Sequence, residues 1–210
     1  MKSSFITFEG IDGCGKSTQS KKIAEWLSDF TGLETIRTFE PGGWNGGKLL
    51  RDVVLNNKDF DGLSELFLFL ADRAGHLKNV ILPALSSGKN VICERYTDST
   101  IAYQSSGHEI KNVMKILNSC DFIQPDLTVL LNIEPELAIK RVKKRNSSEN
   151  DKFESEGLIF MRKVSDSYNK LEAENKERFL KINVLENLNQ EQISEKIISG
   201  IKNKLFKEIF

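Results

Sequence analysis

Gly10-Ile11-Asp12-Gly13-Cys14-Gly15-Lys16-Ser17 is a G-x-x-x-x-G-K-S run. It follows a short β-favouring stretch, Phe5-Ile6-Thr7-Phe8, and leads into Ile23, Ala24, Trp26 and Leu27 at helical spacing. Strand, glycine-rich turn and helix in that order form a unit that cradles a polyphosphate. The glycines let successive backbone N–H groups point inward, the helix N-terminus adds partial positive charge, and Lys16 adds a full one. Ser17 offers a hydroxyl to Mg²⁺, and the run from Gly10 to Thr18 is the expected contact surface of a nucleoside triphosphate. The alternative is a glycine-rich turn with no ligand, which the flanking strand and helix disfavour.

Outward from this loop, apolar residues alternate between two periods. Glu34 to Phe39 reads as a second strand. Leu66, Phe67, Leu70, Ala74, Leu77, Ile81 and Leu85 recur at three and four residues and predict one long amphipathic helix starting at Leu63. Pro83 lies near its end and Ser86-Ser87-Gly88 stops it. Asn90 to Cys93 is a third strand, Leu127 to Ile133 a fourth and Phe179 to Ile182 a fifth, before a terminal helix carrying Ile193, Ile197, Ile201 and Leu205. Strands separated by helices predict an α/β fold, a five-stranded parallel sheet with helices on both faces. No repeat or linker divides residues 1–210, so one domain is expected. Arg145 to Lys152 holds no apolar residue and predicts a mobile loop rather than a domain boundary.

Composition narrows the function classes. Thirty Lys and Arg balance thirty Asp and Glu, without the basic excess of a general nucleic-acid binder. No apolar run approaches the ~18 residues that span a bilayer. The Met1-Lys2-Ser3-Ser4 opening has no signal-peptide pattern, and three cysteines without Cys-x-x-Cys spacing read as reduced thiols, so a cytoplasmic protein is expected. His76 and His108 have no partner spacing and are expected at the surface.

The phosphate loop alone leaves GTPases, ATPases and small-molecule or nucleotide kinases open. Further segments discriminate: Glu40-Pro41-Gly42-Gly43 with Arg51 beyond it, Phe69 and Arg73 one turn apart, Glu94-Arg95-Tyr96, Thr100-Ile101-Ala102-Tyr103-Gln104, and Pro125-Asp126-Leu127-Thr128. In this order and spacing, from Phe5 to about Tyr168, the chain resembles the thymidylate kinase family of P-loop nucleoside monophosphate kinases. The resemblance implies ATP and dTMP as substrates, Mg²⁺ as cofactor, dTDP as product and a homodimer packed through helices; the charge balance and the lack of a spanning apolar run predict neither nucleic acid nor membrane as partner. It assigns Phe69 to stacking on the base, Arg73 to a thymine carbonyl, Thr100 and Gln104 to the polar edge of the base, and Tyr103 to the sugar. Asp12 would reach the acceptor's 3′-hydroxyl or the Mg²⁺ shell, Glu40 would position the acceptor, Arg51 and Arg95 clamp its phosphate, and Ser17 and Glu94 serve the metal. Arg141, Lys143, Lys144, Arg145 and Lys152 are the candidate lid cations, with Arg145 and Lys152 preferred.

Four residues depart from the family pattern: Glu94 for Asp, Phe39 for Arg, Trp44 for a small residue and Lys152 for Arg. Kinases of other nucleoside monophosphates, and a regulatory nucleotide-binding protein that has lost turnover, remain alternatives at this point. Cys14 is expected to be a reactive thiol if it faces the phosphate site, and inert if it faces the interior.

Overall fold

The computed structural model describes residues 2–56, 60–104, 110–146 and 154–209. His108 and Lys152 lie outside them, and Arg145 is placed only as part of a helix backbone. Five parallel strands, β1 (Phe5–Glu9), β2 (Thr35–Phe39), β3 (Asn90–Glu94), β4 (Leu127–Asn132) and β5 (Phe179–Asn183), lie in the order β2-β3-β1-β4-β5. All five predicted strands are present, shifted by a residue at some ends.

The helices among the described residues are α1 (Lys16–Thr31), α2 (Gly47–Asn56), α3 (Gly62–His76), α4 (Leu82–Ser86), α5 (Thr97–Gln104), α6 (Ile110–Asn118), α7 (Pro135–Asn146), α8 (Glu154–Glu174) and α9 (Gln190–Leu205). None is long and apolar enough to cross a membrane. α9 starts with a reciprocal cap, in which the Asn189 side chain accepts from the Gln192 N–H and the Gln192 side chain accepts from the Asn189 N–H.

β1 and β3 are buried throughout, which is why their sequences run apolar without strict alternation. Ile6, Phe8 and Ile92 face a large core shared with α1, α8 and α9. Phe5, Val91 and Cys93 face a smaller cluster closed by Leu77, Ile81 and Tyr96. Each such large side chain contributes about 1.5–3 kcal/mol by leaving water.

The predicted long helix is divided. α3 gives way to a π-helical turn, Leu77–Ile81, before α4. Pro83 supplies the reason: it has no N–H to donate, and its ring would press on the carbonyl four residues earlier, so the ladder widens just ahead of it. The predicted stripe is also rotated in part. Leu66, Leu70, Leu77 and Ile81 are buried, but Phe67 is 54% exposed and Ala74 is exposed, while Asp72, Arg73 and His76 take inward places.

The chain moves from β1 outward to β2 and β3 on one side, then to β4 and β5 on the other. A crevice therefore opens above the carboxyl end of β1, where the strand order reverses. The phosphate loop, Glu94 and Arg95 all emerge there.

Candidate active site

The loop after β1 needs its glycines. Gly10, Gly13 and Gly15 have φ of 135°, 85° and 102°. A Cβ at Gly13 would lie 2.5 Å from the Ala138 carbonyl oxygen, so α7 packs onto the loop only because that atom is missing. Lys16 is buried and donates to the Gly10 and Ile11 carbonyls at 2.9 and 3.0 Å, with Asp12 at 3.9 Å. Burial lowers its pKa more than the neighbouring acids restore it. Ile11 and Cys14 are packed into the core, and Cys14, only 1% exposed, takes the interior orientation rather than one open to the phosphate site. Ser17 and Thr18 face the cleft.

At the end of β3, Glu94 reaches across to α1. It accepts from the Ser17 and Ser20 hydroxyls, both at 2.7 Å, and from Arg37 Nη2 at 2.5 Å. Burial raises its pKa, but the three donors and the Arg37 charge outweigh that and hold it below the ordinary value. The extra methylene of Glu over Asp is thus taken up by Ser20 and Arg37. No sequence pattern marks Ser20 or Arg37, because Arg37 lies 57 positions from Glu94 on a different strand.

Arg95 follows with φ of 65°, a left-handed conformation rare for a bulky side chain. Its guanidinium donates to Asp12 Oδ1 at 2.7 Å, to the Tyr103 hydroxyl at 2.9 Å and to Ser99 Oγ at 3.2 Å, and it lies over the Tyr103 ring. Burial, more than Arg95 opposes it, pushes the Tyr103 hydroxyl up to about 12.

The far end of the cleft is a polar network. Arg73, 2% exposed, donates to Glu40 Oε2 at 2.8 Å and to Thr100 Oγ1 at 2.9 Å. His76 corrects the surface expectation: it is fully buried, with Nδ1 3.0 Å from Glu40 Oε1 and Nε2 2.6 Å from Thr38 Oγ1. Gln104 donates to Glu65 at 3.1 Å, and Phe69 lines the wall beside Arg73. Arg51 donates to the Pro41 carbonyl at 2.7 Å and stacks on Phe39, so the aromatic departure serves as a platform for that cation. Trp44 donates to Asp72 Oδ1 while Oδ2 accepts from the Gly42 N–H, which ties the Pro41-Gly42-Gly43 loop to α3.

Arg51, Phe69, Arg73, Arg95, Thr100, Tyr103 and Gln104 line one cleft of about 1270 Å³ with the phosphate loop and Glu94. Arg141 of α7 enters it, as do Leu188 to Glu191 ahead of and within α9. Gln19 holds that last segment, donating to the Gln190 carbonyl and accepting from Ser194.

For a cation, Ser17 and Glu94 are hard oxygen groups facing the same space, which fits Mg²⁺. Glu40, His76 and Cys93 also bring potential ligand atoms within 4.8 Å of one another, but both His76 nitrogens are already hydrogen bonded.

A family model described as "Thymidylate kinase" matches residues 8–197. The thymidylate kinase of Maridesulfovibrio salexigens is 41% identical over 98% of this chain and 96% of its own length. That of Clostridium novyi is 43% identical over 87% of this chain and 91% of its own. The crystal structure of thymidylate kinase from Ehrlichia chaffeensis aligns with a TM-score of 0.77 at 30% identity, covering 96% of this chain and 99% of that one.

Proposed function

The chain belongs to the thymidylate kinase family and transfers a phosphoryl group from ATP to dTMP, giving dTDP; from that premise we propose how its own residues divide the work. The observation that carries the proposal is the single cleft joining the phosphate loop to the pocket of Phe69, Arg73, Thr100 and Gln104. No protein nucleophile is required. An oxygen of the dTMP phosphate attacks the γ-phosphorus in line and ADP leaves, so catalysis is positioning and charge neutralisation.

In this reading Lys16 and the loop N–H groups of Gly10 to Thr18 hold the ATP phosphates. Arg95 and Arg51 clamp the acceptor phosphate, and the ion pair between Arg95 and Asp12 directs the first of these into the cleft. Asp12 and Glu40 position the acceptor, Phe69 stacks on thymine, Arg73, Thr100 and Gln104 present the donors and acceptors of its polar edge, and Tyr103 lies under the sugar. Ser17 and Glu94 would hold Mg²⁺, which supplies positive charge to the phosphates when bound. A lid at about 145–155 brings Arg145 or Lys152 to the transferred group, with Arg141 already lining the cleft. We place the protein in the cytoplasm as a homodimer, the exposed Leu63 and Phe67 of α3 supplying apolar surface for the second copy.

A coupled assay of ADP release with dTMP, dUMP, CMP, UMP, AMP and GMP as acceptors tests the base assignment. Turnover greatest with dTMP is expected. Equal turnover with a purine monophosphate would remove the thymine pocket from Phe69 and Arg73.

A further inference from the structure

Glu9 ends β1, one residue before the phosphate loop, and is completely buried. It accepts three hydrogen bonds: from the Tyr96 N–H at 2.7 Å on Oε1, and from the Ser99 and Tyr168 hydroxyls at 2.5 and 2.8 Å on Oε2. The first two of these bear on Arg95. The Arg95 N–H donates to the Phe8 carbonyl at 3.0 Å, and the next N–H along, that of Tyr96, donates to Glu9. Consecutive residues of β1 thus grip the amides on both sides of the Arg95 Cα. A left-handed backbone at a bulky residue costs about 1 kcal/mol or more and persists only where neighbours over-determine it.

The same carboxylate reaches the side chain. With its proton given to Glu9, Ser99 turns a lone pair to Arg95 Nη1 at 3.2 Å. Tyr168 brings α8, the helix beyond the 147–153 segment, onto the same oxygen. A glutamine would fill the same volume without the desolvation cost of a carboxylate. It could not accept from all three donors, because its NH₂ group would face a donor itself.

We propose that Glu9 is a positioning residue for phosphoryl transfer, holding Arg95 in its left-handed conformation and, through Ser99, aiming its guanidinium at the acceptor phosphate. The inference rests on the assignment of Arg95 to that phosphate.

The test is a double-mutant cycle of Glu9→Gln, Arg95→Ala and the pair, with kcat, KM for dTMP, ATP affinity and melting temperature measured for each. Glu9→Gln lowers kcat about tenfold to a hundredfold and raises KM for dTMP, with ATP affinity unchanged, since a misplaced group costs on that scale. Because Glu9 acts through Arg95, the double variant turns over as fast as Arg95→Ala alone. A role only in folding would instead multiply the two losses. Multiplied losses, or wild-type kcat in Glu9→Gln, overturn the inference while leaving Arg95 in place. Normal turnover in Arg95→Ala overturns the Arg95 assignment itself. Should Glu9→Gln not fold, Ser99→Ala enters the same cycle; it keeps the Tyr96 bond, and the same non-additivity with Arg95→Ala is expected.

Discussion

Removing the Arg73 guanidinium perturbs two quantities that the structure allows to be separated. Arg73 and Glu40 have side chains only 2% and 4% exposed, and the ion pair between them is 2.8 Å. Arg73→Ala leaves the Glu40 carboxylate buried without its cation, and also removes the contacts of the guanidinium with the Tyr96 and Phe122 rings. Breaking a buried pair on one side costs about 3–5 kcal/mol. Against a total stability of about 5–15 kcal/mol, that is a large fraction. For a chain of this size it lowers the melting temperature by about 6–20 °C.

Losing one charge-assisted hydrogen bond to thymine costs a further 1.5–3 kcal/mol or so, about tenfold to 150-fold in dTMP affinity, and ATP affinity stays unchanged. Urea unfolding followed by circular dichroism measures the first quantity and isothermal titration the second. Glu40→Gln combined with Arg73→Ala tells them apart. It removes the orphaned charge and recovers much of the stability, while dTMP binding stays weak. A loss below about 1 kcal/mol in Arg73→Ala, or a double variant no more stable than the single one, would refute the reasoning.

Three further outcomes are expected. Lys16→Ala lowers turnover by about a hundredfold or more with the circular dichroism spectrum intact, and near-normal turnover in the folded variant would contradict the role of the loop lysine. Brief iodoacetamide treatment of the native protein, read by mass spectrometry, labels the half-buried Cys120 ahead of Cys14 and Cys93, which are both buried; Cys14 reacting first would contradict its inward orientation. Burial, and then the Asp98 carboxylate, raise the pKa of Glu9 above its ordinary 4.5, so the folded chain holds that proton more tightly than the unfolded chain. Its contribution is therefore fully present below the unfolded value and is lost as pH rises through the folded one. Wild-type stability relative to Glu9→Gln should fall in urea melts as pH rises above the ordinary carboxylate value of 4.5, and a gap that widens with pH would be the contrary result.

The parts of this protein legible in sequence are those whose cause is local. Eight consecutive residues specify the phosphate loop, because glycine freedom, a helix N-terminus and one lysine suffice for it. Runs such as Phe5 to Phe8 and Leu127 to Leu131 specify buried parallel strands through side-chain chemistry alone. Phe69 and Arg73 share a helix face by their spacing, and both line the cleft.

Tertiary structure decided the rest. Helical periodicity identified Leu66, Leu70, Leu77 and Ile81, but nothing local said that Arg73 and His76 also turn inward. A buried cation or imidazole is tolerable only beside a matching acceptor, and theirs, Glu40, stands on a loop more than thirty residues away. Arg37 with Glu94, and Glu9 with Tyr96, Ser99 and Tyr168, follow the same rule. In each case a polar side chain is buried beside a partner distant in the chain that the β2-β3-β1-β4-β5 strand order brings alongside it. Hydrophobic pattern encodes which face is buried. It does not encode which charge will be found opposite, because that depends on the crossing of segments distant in sequence.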